Sequence, residues 1–400
     1  MVGIRIVDFS RVLAGPWASQ HLADQGAEVW KVEPPGGDET RAFGPFWSGS
    51  PARPLGAGDP GGASTDAEST YFLSCNRNKA SIVLDLQTDA GREAARDLVR
   101  SADVVLHNWR PGVDRKLGMD WDTVRAIAPR VVYVAISAFG SDDPRAGYDL
   151  VLQAMGGAMS FTGFPGQPPI RAGTPIADLV TGLLAVQAVL HGLLDRHRTG
   201  EGQRIEVNMM QAQAACLVYH LSRYTVTGEA ETRRGNAHRG LVPYDVYRCA
   251  DGWLAVACGN DGLWTRLRLA LGLPDEPAWA TNPGRVAARD AVDAAVSGAL
   301  AGWTTADADR ALTEAGVPVG VVLDVAGVAA HPAVRSVTVD HPAIGPVTLA
   351  GPTLRTATTR VDHTPPPRLG GDRDAILGAV GYDAVRIRDL RARGAFGGED

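Results

Sequence analysis

The run Ser81-Ile-Val-Leu-Asp-Leu86, with Ala90 to Ser101, Val104-Val-Leu106, Asp122 to Ile127 and Val131-Val-Tyr-Val-Ala-Ile136 after it, decides the fold. Short runs rich in branched apolar residues read as strands. Between them lie segments with apolar residues at helical spacing, and a turn at Arg110-Pro111-Gly112 interrupts the series. Strands alternating with helices at this spacing form a parallel sheet covered on both faces. The chain opens the same way: a strand over Gly3 to Phe9, a short helix over Trp17 to Asp24 closed by Gln25-Gly26, and a strand over Glu28 to Val32. An α/β fold is therefore expected, with ligands bound beyond the carboxyl ends of the strands. Those ends are Ser10-Arg11, Glu33-Pro34, His107-Asn108-Trp109-Arg110 and Ser137-Ala138-Phe139-Gly140.

The chain has 400 residues, 45% of them apolar, which is ample for two hydrophobic cores. No window holds the roughly 18 uninterrupted apolar residues of a membrane span, and no basic, apolar leader precedes the first strand. A soluble cytoplasmic protein without a membrane partner is expected. Net charge of -6 argues against nucleic acid as the main partner and leaves room for a small anion held by a local basic cluster. Only three lysines occur, Lys31, Lys79 and Lys116, all in the first third of the chain. Cys75, Cys216, Cys249 and Cys258 are scattered, with no CxxC pair and no histidine at ligand spacing, so neither disulfide nor metal is indicated and each reads as a buried small hydrophobe.

From Pro34 to Ser69 the pattern dissolves into Pro, Gly, Ser and Asp, long enough to suggest a functional loop or flap. Gly56-Ala-Gly58-Asp-Pro-Gly61 within it formally matches a dinucleotide fingerprint, but no strand precedes it and no helix follows, so the match is rejected. Past the charged segment Thr227 to Arg239 a second αβ region begins. It reads as a strand at Trp253 to Val256, a turn at Gly259 to Gly262, and helices over Val286 to Leu300 and Ala306 to Ala315. Pro365-Pro-Pro and the helical segments Asp372 to Ala379 and Tyr382 to Arg393 read as an extended arm. The expected domains are 1–225, 226–325, and a linker with C-terminal arm over 326–400 that returns to the first domain.

Pro175-Ile-Ala-Asp178 marks the start of the longest apolar helix pattern, which ends at Arg196-His-Arg-Thr-Gly200 with basic residues and glycine where the macrodipole and C-cap favour them. Its apolar residues run almost all round, as in a central or interface helix. Asp178 has two readings. It is an N-cap accepting backbone N–H bonds, or a carboxylate kept ionised and oriented by the helix end, as suits a nucleophile.

With these motifs in order, the chain resembles the class III CoA-transferases of the CaiB/BaiF family, which includes formyl-CoA transferases, carnitine CoA-transferases and 2-methylacyl-CoA racemases. The resemblance runs through Val7-Asp-Phe-Ser-Arg-Val-Leu-Ala-Gly-Pro16, Glu28-Val-Trp-Lys-Val-Glu33, Asn76-Arg-Asn-Lys-Ala-Ser81, Asn108-Trp-Arg-Pro-Gly112 and Gly147-Tyr-Asp-Leu-Val-Leu-Gln-Ala-Met-Gly156. It continues through Pro175-Ile-Ala-Asp178, Arg198-Thr-Gly-Glu-Gly-Gln203, Ala315-Gly-Val-Pro-Val-Gly320 and Pro367-Arg-Leu-Gly370. It implies a large Rossmann-like domain, a smaller α/β domain and an interlocked, ring-like homodimer. It also implies an acyl-CoA:carboxylate CoA-transferase in which Asp178 forms a mixed anhydride and then an aspartyl-CoA thioester. Acyl-CoA and a small carboxylic acid are its substrates, with no permanently bound cofactor and no metal.

By position the family's CoA contacts fall on Arg11, Val12, Ala14, Lys79, Asn108, Trp109 and Lys116, and its substrate and lid residues on Tyr148, Gly259, Asn260, Asp261 and Gly262, with action of the last four in cis or in trans left open. Water must be kept from the activated acyl group, and the Pro34 to Ser69 loop, the Gly156-Gly157 turn and Gly259 to Gly262 are candidates for that role. Racemases carry histidine where this chain has Tyr148, and a phenol is a poor proton shuttle at neutral pH. That departure lowers the racemase reading, which stays an alternative beside a non-catalytic acyl-CoA-binding homologue. Leu13 and Pro34 stand where formyl-CoA transferase has polar or basic residues, which argues against formyl-CoA and oxalate as substrates.

Overall fold

The computed structural model describes residues 1–49, 67–356 and 361–398. The Gly56 to Gly61 match lies outside the described residues. The chain forms two compact units, one of Met1–Ala158, Arg171–Val226 and Arg335–Asp400, the other of Met159–Ile170 and Thr227–Val334.

The first unit is built on six parallel strands: β1 (Arg5–Asp8), β2 (Glu28–Glu33), β3 (Lys79–Val83), β4 (Val104–His107), β5 (Val132–Ser137) and β6 (Gln203–Asn208). Their order across the sheet is 3-2-1-4-5-6, the Rossmann arrangement with its switch point between β1 and β4. Successive side chains of a strand point to opposite faces. Ile6 thus joins Val104, Val132 and Val134 under helices α1 (Ala14–Ala23) and Ile176–Thr199, while Val7 joins Trp30, Val105 and Tyr133 on the other face. That second face is covered by Asp89–Arg100, Trp121–Ile127 and the C-terminal helices Arg373–Ala379 and Ala384–Ala392, through Leu98, Val124, Ile376 and Leu390. Each such fully buried side chain contributes about 1.5–3 kcal/mol. The residues read as an extended arm thus close one layer of the first unit.

Strand β6 was missed in the sequence because its polar residues Arg204 and Glu206 alternate with Ile205 and Val207 at a sheet edge, which leaves no continuous apolar run. Within the Pro34 to Ser69 stretch Asp38 caps a helical turn at Glu39–Ala42, and Phe46–Trp47 pairs with Glu68–Ser69. Cys216 is exposed, unlike the other three cysteines.

Ile176–Thr199 is long and apolar enough to cross a membrane by length and composition. Here it packs on α1 and the sheet through small residues, Ala177, Gly182, Ala185, Ala188 and Gly192, which let the backbones approach. Gly200, in the left-handed region, ends it.

The second unit has a three-stranded antiparallel sheet, Val319–Val321, Trp253–Ala257 and Tyr244–Arg248, over a core that includes Leu254, Trp264, Val296 and Leu312. Gly259 to Gly262 is not a free turn. Asn260 caps the helix Asp261–Ala270 through the Leu263 N–H, and Asp261 pairs at 2.8 Å with the fully buried Arg285.

Candidate active site

The cleft containing Asp178 is assembled at the switch point. Of about 370 Å³, it is lined by Arg11, Val12 and Ala14 from the end of β1, Asn108, Trp109 and Arg110 from the end of β4, Ser137 and Ala138 from the end of β5, and Arg145, Tyr148 and Asp178. Glu33-Pro34, at the end of β2, lines an adjoining slot of about 180 Å³ with Phe9, Leu84, Leu86, Trp109 and Val113. Trp109 lines both, together with Arg11 and Val113; it packs on Phe9 and stacks on His107.

The turn that carries Val12 is strained. Val12 has φ of 68°, a conformation that costs a β-branched residue energy and persists only when its surroundings impose it. Two devices impose it. The Asn108 side chain accepts from the Arg11 N–H at 2.9 Å and donates to the Arg11 carbonyl at 2.7 Å. The Val12 N–H donates to the Asp38 carboxylate, itself bonded at 2.8 Å to Lys31. Lys31 and Asp38 are both fully buried. Burial opposes charge on each, but their mutual attraction outweighs it, holding the Lys31 pKa above and the Asp38 pKa below the ordinary values.

Asp178 sits in the first turn of Ile176–Thr199, yet it does not cap that helix. The N-cap position is Pro175, which offers no side-chain bond. Asp149, at the start of the helix Asp149–Met155, supplies the missing acceptor: its Oδ1 takes the Ala177 N–H at 2.9 Å. Asp178 is left half-buried, without a hydrogen-bond partner among the described residues. Burial first, and the charge of Asp149 second, push its pKa up to about 7. The expectation that the helix end would keep this carboxylate firmly ionised therefore fails, because a second carboxylate already occupies the favourable N–H.

The other expected residues divide. Arg11, Val12, Ala14, Asn108, Trp109 and Tyr148 line the cleft with Asp178, and Tyr148 is exposed. Lys116 is exposed on the short helix Val113–Leu117 and does not line it. Lys79 offers no charge at the surface. Its Nζ is buried against the Pro16 carbonyl at 2.7 Å, Asn76 at 2.9 Å and Asp8 at 3.7 Å, and burial lowers its pKa to about 8. Gly259 to Gly262 belong to the second unit.

Sequence reading placed Arg110 at a ligand-binding strand end without assigning it a contact, and missed Arg145 as a cleft residue, and Tyr71. Burial and then the charge of Asp178 push the Tyr71 phenol well above its ordinary range. Nothing in the sequence around Tyr71 marked it, since only the fold brings the helix Thr70–Cys75 near Asp178.

The model of the family described as "CoA-transferase family III" matches residues 1–373. The chain belongs to this family. As a family III CoA-transferase it is an enzyme that uses CoA thioesters as substrates. It is similar to the succinate–glutarate CoA-transferase of Agrobacterium fabrum, 38% identical, the match covering 94% of each chain. The acetyl-CoA:oxalate CoA-transferase of Acetobacter aceti is 38% identical over 82% of each chain. Among solved structures, a CAIB/BAIF family protein from Brucella suis superimposes with a TM-score of 0.82 at 35% identity, covering 95% of this transferase and 98% of that chain. Among the described residues of the transferase, no three His, Cys, Asp or Glu side chains converge as a metal site.

Proposed function

We propose that this transferase moves CoA between an acyl-CoA and a short dicarboxylic acid through covalent intermediates on Asp178. The observation that carries the reading is the division of labour between two carboxylates: Asp149 caps the helix, and Asp178 faces the cleft unbonded. A nucleophile needs an oxygen free to approach a carbonyl carbon, and both Asp149 oxygens are held in hydrogen bonds.

The Asp178 carboxylate attacks the thioester carbonyl, the C–S bond breaks, and CoA leaves as thiolate, giving a mixed anhydride. The thiolate attacks the aspartyl carbonyl of that anhydride. The bond from this carbon to the bridging oxygen breaks, so the donor acid departs carrying one former Asp178 oxygen. The acceptor carboxylate attacks the resulting aspartyl thioester and expels the thiolate. The thiolate then attacks the acceptor's acyl carbon, which releases the new acyl-CoA and restores Asp178 with one acceptor oxygen. No net proton, metal or redox change is needed.

The apolar slot beside Trp109 suits adenine, with Lys116 and the cleft arginines near enough in sequence to the strand ends for the phosphates. Arg110, which has no ion-pair partner among the described residues, suits a second substrate carboxylate. Dicarboxylates are also what the relatives are named for, oxalate included. The expectation against oxalate drawn from Leu13 and Pro34 is therefore withdrawn. Exposed Leu183, Leu190 and Leu194 on the long helix support burial against a second copy, in the interlocked homodimer of the family. A soluble, cytoplasmic enzyme fits this chemistry.

The test uses an acceptor acid labelled with oxygen-18 in its carboxylates. After turnover, the peptide containing Asp178 should carry the label, and hydroxylamine added during turnover should convert Asp178 to a hydroxamate. Turnover with neither mark on Asp178 overturns the mechanism. A racemase reading gains from the raised pKa of Asp178, which suits proton transfer. Rapid α-proton exchange into deuterium oxide with a 2-methylacyl-CoA would favour it.

A further inference from the structure

The loop before Asp178 and the carboxylate that caps its helix hang on one buried side chain. Gln153 is 3% exposed. Its Nε2 donates to Asp149 Oδ2 at 2.7 Å and to the Thr174 carbonyl at 3.3 Å, and its Oε1 accepts the Ala172 N–H at 2.8 Å. Asp149 in turn accepts, through Oδ1, the N–H of Ala177, the residue next to Asp178. One amide thus fixes the chain at 172 and 174, and through Asp149 at 177. The geometry points to Gln153 as a positioning residue that sets where the Asp178 carboxylate stands in the cleft.

Only an uncharged group with both a donor and an acceptor can fill this position. It must donate to one carboxylate and accept from a backbone N–H two residues upstream of the loop's second anchor. An ionised glutamate would oppose Asp149 at hydrogen-bond distance, and a leucine would take the partner from Asp149 Oδ2 and from the Ala172 N–H, leaving the Thr174 carbonyl only the Ile176 N–H. In either case the carboxylate capping Ala177 loses its tether, and Asp178 samples positions away from the thioester carbonyl. Misplacing a reacting group by about 1 Å costs on the order of a hundredfold in rate. The cleft walls from β1 and β4 that receive acyl-CoA make no contact with Gln153 in this network, so the loss should fall on kcat.

The inference rests on Asp178 being the nucleophile, and the experiment separates the two. Q153L and Q153E are made in the full chain, with melting temperature, kcat and KM for acyl-CoA, and hydroxylamine trapping at Asp178, compared with wild type. Q153L should lose roughly ten- to hundredfold in kcat, with KM within about threefold, and trap proportionately less. The titratable and charged groups around the clamp are Asp149, Asp178, the Tyr71 phenol and Arg171, whose guanidinium donates to the Ala172 and Gly173 carbonyls and stays charged across the range tested. Once protonated, a glutamate at 153 can donate to Asp149 as the amide does. The kcat of Q153E relative to wild type should therefore recover as pH falls from about 8 to about 6, whereas that of Q153L stays flat. Wild-type trapping together with a Q153L kcat within twofold of wild type overturns the inference. If Q153L does not fold, a pH-independent ratio for Q153E overturns it. Absence of trapping in wild type overturns the nucleophile reading instead, and the clamp with it.

Discussion

Replacing Gly182 with alanine tests whether the contact between α1 and the long helix places the nucleophile. A Cβ on Gly182 would stand 2.8 Å from the Ala14 carbonyl oxygen and 3.0 Å from the Trp17 ring. The first of these is backbone in a buried helical turn, so the helices must part by a few tenths of an ångström. Overpacking of this kind costs about 1–3 kcal/mol. Alanine returns about 1 kcal/mol of helix propensity over glycine, which leaves a net loss of about 0–2 kcal/mol. Gly298, in the helix Arg289–Leu300, has nothing within 4 Å of its built Cβ. G298A should therefore gain about 0.5–1 kcal/mol. Asp178 lies four residues before Gly182 and so on the same helix face, and Ala14 itself lines the cleft. Displacement of a few tenths of an ångström should lower kcat about three- to tenfold, scaled from the cost of larger misplacement. Urea denaturation gives the stability difference and steady-state exchange of acyl-CoA with a dicarboxylate gives the rate. A G182A enzyme that gains as much stability as G298A and keeps its kcat would refute the reasoning.

Three further outcomes follow from the site. Asp178 titrates at about 7 in the folded enzyme against an ordinary 3.8, so the folded state binds the extra proton between these values; stability from this group is present at low pH and lost as pH rises through about 7. D178N should accordingly gain stability over wild type as pH rises from about 4 to about 8, a gain read by melting temperature, while the wild-type kcat/KM for acyl-CoA rises over the upper part of that range. K31M leaves the fully buried Asp38 carboxylate unpaired and should cost about 3–5 kcal/mol in chemical denaturation. W109A removes a wall shared by cleft and slot, and should raise KM for acyl-CoA about tenfold with kcat little changed in steady-state assays.

Local pattern carried the sheet of the first unit because alternation of branched apolar runs with helical segments is a short-range property. Five of its strands are legible within a few residues of their observed limits, and β6 is not, because an edge strand exposes every second side chain. Family motifs carried Asp178 and most of the cleft, since those residues lie at strand ends that a parallel sheet gathers by construction. Which carboxylate caps the long helix and which faces the cleft unbonded was not legible. Asp149 and Asp178 both stand at helix starts, and only the packing of one helix against the other hands the Ala177 N–H to Asp149. Lys79 shows the same limit: at a strand end it reads as a phosphate ligand, but three oxygen atoms around a buried ammonium make it part of the core. Sequence by itself determined the layered architecture, which depends on residue type and spacing, and its resemblance to a family pointed to the chemical class of the site. Tertiary structure alone decided protonation, capping and strain, because these depend on distances between groups far apart in the chain and on how much water each retains.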